Sequence, residues 1–144
     1  MSDFIVDSEV EDIARRLVLR FPDILSHIDV DRILCVREIS RSQKNQLGAC
    51  RPVKPPFNLL NPNIIYIIVI YYKAKWDDLL IGQKQLLVLH QLLHIHPEFD
   101  GSTVPHDASD WSFILDTFGS NYMERNDVPN LLSNREQEDS GGQA

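Results

Sequence analysis

The chain has 144 residues and a mass of 16.6 kDa, the size of one domain with a single hydrophobic core. Hydrophobic residues make up 43% and charged residues 24%, so the composition excludes general disorder. The net charge of −7 argues against nucleic-acid binding by the whole surface, and two cysteines form neither a disulfide framework nor a CxxC motif. The N-terminus is acidic where a signal peptide is basic and apolar, and the longest apolar run has nine residues, about half a membrane span. We therefore expect a cytoplasmic domain with no membrane segment.

The first elements follow from periodicity. Apolar residues at helical spacing predict a helix over 8–21, with Ser8 as N-cap and Glu11 three residues later as in a capping box, and Pro22 ends it. Alternation over 32–39 predicts a strand. The segment 41–54 is basic and rich in polar residues, Gly and Pro, which indicates a loop or hairpin connection. Such a loop could contact nucleic acid, although a solvated loop is the simpler interpretation.

The second half contains one strand and two helices. The β-branched run 64–72 is apolar at every position, which is typical of a central strand buried on both faces. Helical spacing predicts a helix over 82–96 that Pro97 stops, and a last helix over 107–118 with Asp107 as its N-cap. The tail 124–144 has almost no apolar content and is predicted to be disordered, which leaves one domain over 1–123. The fold class is therefore α+β (α/β-like), a mixed sheet covered by helices.

Histidines cluster in the second half of the chain. His90 and His94 are four residues apart in the predicted helix, so their rings lie about 40° apart around the axis and about 6 Å apart along it. Two such imidazoles can occupy two corners of a tetrahedral zinc site. The alternative is that both only hydrogen-bond to backbone or carboxylate groups.

A family resemblance rests on these residues. His90-Gln91-Leu92-Leu93-His94 resembles the HExxH signature of zincin metallopeptidases, and the stretch HQLLHIHPEFDG followed by PHDASDWSFILDTFG resembles the phage-type metallopeptidases. These are minimal zincin-like domains with an HELLHI helix, an HD dipeptide and a closing helix. The resemblance implies a bacterial, archaeal or phage-encoded protein that hydrolyses protein or peptide substrates.

The resemblance also implies the site. Zn²⁺ would be bound by His90, His94 and His106 of the HD dipeptide, with water in the open fourth position. His96 is the alternative third ligand, and Asp107 is a candidate to contact a ligand imidazole or simply to cap its helix. An HD dipeptide also occurs in metal-dependent phosphohydrolases, but those domains are all helical, and the run 64–72 argues against them.

Gln91 departs from the signature. A glutamate there would accept a proton from the zinc-bound water, whereas an amide cannot do so at neutral pH. With glutamine at position 91, the site should bind zinc but hydrolyse peptides poorly or not at all. Two interpretations follow, an engineered Glu→Gln variant of an active peptidase or a natural pseudo-enzyme. The alternative function is a non-catalytic, zinc-stabilised module that binds proteins through the same cleft.

Overall fold

The structure, a computed structural model, describes residues 3–41, 43–105, 114, 122–125 and 127–132. Within these ranges four strands and three α-helices are connected by short 3₁₀ turns and loops. In chain order they are β1 (Phe4–Val6), α1 (Ser8–Arg20), α2 (Pro22–Leu25), β2 (Ile33–Glu38), β3 (Gly48–Pro52), β4 (Tyr66–Ile70) and α3 (Ile81–Leu92). The predicted α+β class is confirmed.

The four strands form one mixed sheet in the order β1-β2-β4-β3. The central pair β2–β4 is parallel, and the outer pairs β1–β2 and β3–β4 are antiparallel. In this register Cys35 and Cys50 both pair with Ile68, so these three side chains share one face of the sheet. Helices α1 and α3 pack against each other and against β2 and β3, and the hydrophobic core lies between them and this face.

The run 64–72 supplies the central strand, as predicted, but its two faces differ. The helix-side residues Tyr66, Ile68 and Ile70 are fully buried. On the other face Val69 is buried, whereas Ile67 is only half-buried, and no described helix packs there. The prediction of burial on both faces therefore holds only in part, because helices cover one side of this sheet.

Helix α1 begins where an aspartate replaces the predicted cap. The N-cap is Asp7 rather than Ser8, and its carboxylate accepts hydrogen bonds from the backbone N–H groups of Glu9 and Val10. The same carboxylate accepts a 2.7 Å hydrogen bond from Nε of Arg37 on β2. Burial alone would raise the pKa of Asp7, but these hydrogen bonds outweigh it and hold the pKa below its usual value.

Two predictions from the sequence need correction, and a third falls mostly on residues that the structure does not describe. Residues Gly48–Pro52 of the predicted loop 41–54 form strand β3, because they pair with β4. Helix α3 ends at Leu92 rather than at residue 96, because Ile95 leaves the helix to form a bridge with Thr103. The predicted last helix, 107–118, lies outside the described residues apart from Ile114, which is helical and fully buried in the core.

A C-terminal strap, residues 122–132, packs on α3, and the structure describes all of it except residue 126. The side-chain amide of Gln83 donates to the carbonyl oxygens of residues 122, 123 and 125 at 2.8–3.1 Å. Gln85 donates to the side chain of Asn130 and accepts from the N–H of Leu131. Most of the strap belongs to the predicted tail 124–144, yet Val128 and Leu131 are buried in the core. Residues 133–144 lie outside the described part of the chain.

Candidate active site

The two histidines of the HQLLH motif lie side by side at the end of α3. His90 is in the last turn of the helix, and His94 follows in the turn after Leu92. Their ring centroids are 5.2 Å apart, and the ring planes are inclined by 61°. Although helix α3 ends at Leu92, before His94, the two imidazoles still lie next to each other, as the four-residue spacing predicted.

A backbone carbonyl orients one of these rings. Nδ1 of His94 lies 2.7 Å from the carbonyl oxygen of Val104 and, facing a carbonyl, donates the proton. This tautomer places the lone pair of His94 on Nε2. The N–H of Val104 also donates to the carbonyl oxygen of His94 at 2.7 Å. Two hydrogen bonds therefore hold His94 and Val104 together. Histidine ligands of metals are commonly oriented in this way.

Gln91 lies between the helix and strand β3. Gln91 is only 4% exposed. If position 48 carried a Cβ atom, that atom would lie 3.2 Å from the side-chain nitrogen of Gln91. Gly48 therefore makes the room for this side chain, since any larger residue would also press on the carbonyl oxygen of Val69 at 2.9 Å. Within the described chain no residue hydrogen-bonds to the Gln91 side chain. In an HExxH motif the general-base glutamate would occupy this position.

An open groove of about 930 Å³ runs between α3 and β3. His90, Gln91 and His94 line it on the helix side, and residues 46–51 line it on the strand side. Residues 103–105 and the strap residues Tyr122 and Met123 also line it. Cys50 lines it as well, but burial raises the pKa of its thiol to about 12, so it stays protonated at neutral pH.

Strand β3 lies at the edge of the described sheet and pairs there only with β4. The unpaired side of an edge strand presents N–H and C=O groups to which an extended chain can pair. The groove therefore combines a pair of imidazoles, an amide without a described partner and a strand edge suited to an extended peptide.

Several predicted site residues are not brought together by the described chain. His106 and Asp107 lie outside the described residues, so the three-histidine site stays a prediction. His96 accepts a hydrogen bond at Nδ1 from the N–H of Glu98, within its own turn. In the part that the structure describes, no three His, Cys, Asp or Glu side chains are grouped to hold a metal, so His96 does not complete a site with His90 and His94.

Two parts of the groove lining were not predicted from the sequence. Gly48 and Cys50 lie in a segment predicted as a loop, and its composition gives no strand signal. Tyr122 and Met123 precede a polar segment, and they reach the groove because Gln83 binds their backbone.

A family model described as "Putative phage metallopeptidase" matches residues 2–134, which is nearly the whole chain. The chain belongs to this family. No curated protein and no solved structure matches it. As a member of the phage metallopeptidase family, the protein is expected to use a metal ion, usually zinc, and the imidazole pair with a carbonyl-oriented His94 fits such an ion. Among the described helices, none is long and apolar enough to span a membrane.

Proposed function

We propose that the groove is a zinc metallopeptidase site whose hydrolytic activity is suppressed by Gln91. The observation that carries the proposal is the buried amide of Gln91 beside the imidazole pair, in the groove and at the position of the general base. His90, His94 and His106 would hold the zinc ion. When bound, zinc would polarise a peptide carbonyl and lower the pKa of a coordinated water.

Gln91 decides what the remaining residues can do. Its amide can donate one hydrogen bond and accept another, so it can orient water or a peptide group in the groove. It has no basic oxygen, and it therefore cannot take a proton from water or return one to a leaving amine. Binding and orientation persist, while proton transfer is lost.

The ligand that fits this groove is an extended peptide. A peptide that pairs with the free edge of β3 would place its backbone next to Gln91, because the Gln91 side chain occupies the space that a side chain at Gly48 of that strand would fill. Backbone pairing does not depend on peptide sequence. The side chains that line the groove, Leu87 and Met123 among them, would favour apolar residues.

The test is to restore the base. Gln91→Glu should leave zinc content unchanged and create zinc-dependent cleavage of an unstructured substrate such as casein. General-base catalysis contributes about 10²–10⁴-fold, so the gain should be easy to measure. Gln46→Glu makes the same chemical change elsewhere on the groove and should produce no activity. Removing zinc with a chelator should abolish the gain.

The alternative function, a zinc-stabilised module that binds proteins without cleaving them, predicts a different result. A folded Gln91→Glu protein that contains zinc, binds peptides and cleaves none of them would contradict the peptidase proposal. The alternative is favoured by the same amide, since a donor and an acceptor together suit a peptide backbone better than a carboxylate does.

A further inference from the structure

The free edge of β3 presents backbone groups at alternate residues. The N–H of Tyr71 donates to the carbonyl oxygen of Leu47, so the residue before β3 turns its backbone polar groups toward β4 and its continuation. By alternation residues 49 and 51 do the same, whereas Gly48 and Cys50 turn their N–H and C=O groups toward the free edge. Pairing with a further chain would end at Pro52, which has no N–H to donate.

The same alternation divides the side chains of β3 between the two faces of the sheet. The register pairs Ala49 with Val69 and Arg51 with Ile67, on the face turned away from the helices, which we call the outer face. An extended peptide on this edge would therefore turn every second side chain into the groove beside Gly48. It would turn the others onto the outer face beside Ala49 and Arg51.

Arg51 is the cation that such a peptide would meet on the outer face. It is exposed, and its guanidinium donates to the hydroxyl of Tyr71 at 3.2 Å. Because Tyr71 lies beside Leu47, the guanidinium extends along the strand across the small side chain of Ala49. This contact uses a single N–H, so most of the guanidinium donors remain for a ligand. Among the described residues no carboxylate pairs with Arg51.

The wall of the groove that carries Arg51 contains no acid. Residues 39–76, which form β3 and β4 with their connections, include six Lys and Arg residues and no Asp or Glu, although the whole chain has a net charge of −7. In the part of the chain that the structure describes, no Asp or Glu lines the groove, and Arg51 is its single Lys or Arg. This distribution of charge attracts an acidic ligand and offers a basic one no partner.

We propose that the groove binds acidic peptides, and that Arg51 selects a carboxylate on the peptide residue opposite Ala49 or Arg51. The inference rests on the proposed function, because it requires a peptide on the edge of β3. In an antiparallel pair both positions are non-hydrogen-bonded, and side chains on neighbouring strands are closest at such positions. The carboxylate would accept charge-assisted hydrogen bonds from the guanidinium. The peptide side chains that enter the groove would be apolar.

Single-stranded nucleic acid is the other ligand that a basic surface can bind, and two features favour the peptide. The guanidinium lies next to the free backbone groups of Gly48 and Cys50, which a peptide backbone can pair with but a phosphate chain cannot. The aromatic ring beside Arg51, that of Tyr71, is only 4% exposed, so it offers no face on which a base could stack.

The test uses the full chain and short fluorescent peptides in which valine alternates with glutamate, serine or lysine. The valines suit the groove, which turns the variable side chains onto the outer face. In fluorescence anisotropy the glutamate peptide should bind about 5-fold more tightly than the serine peptide, the effect of an exposed cross-strand ion pair. The lysine peptide should bind more weakly than either. Added salt should reduce these differences, since the pair is exposed.

Substitution of Arg51 separates this selectivity from a general attraction between charges. Arg51→Gln should make the glutamate peptide bind like the serine peptide, and an unchanged affinity for the serine peptide shows that the edge of β3 is intact. Arg51→Glu should reverse the order and favour the lysine peptide. Lys54→Glu makes the same change of charge beyond the end of β3, at an exposed residue that does not line the groove, and should keep the wild-type order.

The outcomes distinguish this inference from the proposed function. Equal binding of all the peptides by the wild type, or an unchanged order in Arg51→Gln, would overturn the selectivity and leave the groove a peptide site. Binding of no peptide at all would refute the peptide groove and the selectivity with it. A short oligothymidine that displaces the glutamate peptide, and that loses affinity in Arg51→Gln, would assign this surface to nucleic acid instead.

Discussion

Replacing Gly82 in α3 by alanine should destabilise the protein, although the same change in most helices is stabilising. Glycine costs a helix about 0.5–1 kcal/mol relative to alanine. Here, however, a Cβ would lie 2.0 Å from the carbonyl oxygen of Pro129 and 2.8 Å from Cγ1 of Val128. Both contacts belong to the strap, so the strap must move away from α3.

The cost follows from what the strap buries. Val128 and Leu131 are both buried, and exposing each costs about 1.5–3 kcal/mol. The freed strap regains conformational entropy and the helix gains propensity, which together offset part of that loss. We expect Gly82→Ala to lower the free energy of unfolding by about 2–4 kcal/mol.

Urea unfolding followed by circular dichroism measures this change directly. A double-mutant cycle with Leu131→Ala identifies the strap as the cause. If Leu131→Ala already loosens the strap, the cost of Gly82→Ala should be smaller in that background. An increase in stability in the wild-type background, or strict additivity in the cycle, would refute the reasoning.

Two further predictions concern the metal and the pH dependence of stability. His90→Ala and His94→Ala should each remove stoichiometric zinc, because each substitution leaves only two of the three protein ligands. Elemental analysis measures the zinc content, and His27→Ala, which lies outside the groove, should retain the metal. Full zinc content in both groove variants would exclude this site. Because the pKa of Asp7 is lowered in the folded state, its contribution to stability is present above the unfolded pKa of about 3.9 and is lost as the pH falls through the folded value. Asp7→Asn should cost about 1–3 kcal/mol at pH 7, since Arg37 loses the nearer of its two carboxylate partners and keeps only Asp77. The substitution should also flatten the stability curve below pH 4. An unchanged curve from urea titrations at pH 3–7 would contradict this role.

Periodic apolar patterns predicted the elements that carry most of the core. The β-branched run around Ile68 became the central strand, and the four-residue spacing brought His90 and His94 together. Both patterns are local, since strand character and helical spacing depend on residues close together in the sequence. For this reason they can be read without knowing what packs against them.

The elements that were missed depend on partners outside the element itself. Strand β3 contains glycine, arginine and proline, and it is a strand only because β4 offers it a pairing edge. Helix α3 stops before His94 because Ile95 pairs with Thr103. The N-cap was displaced by one residue, since Asp7 also bonds to Arg37, thirty positions away.

The strap lines the candidate site, and its docking could not be predicted from the sequence for the same reason. Its polar sequence resembles a disordered tail, and only the amides of Gln83 and Gln85 reveal why it docks. A sequence pattern does not encode hydrogen bonds between side chains and backbone atoms about forty residues apart. The third ligand predicted for the site, His106, stays a prediction for a different reason, since it lies outside the described residues.

The docking of the strap has a consequence for how the protein is made. During synthesis the central strand and α3 leave the ribosome before the strap exists, so the side-chain NH₂ groups of Gln83 and Gln85 at first lack the acceptors that the strap supplies. The groove then lacks the wall that Tyr122 and Met123 provide. A nascent chain should therefore be unable to hold a peptide in this groove until residues 122–132 have been translated. The order of synthesis would thus delay the proposed peptide binding until the strap has docked on α3.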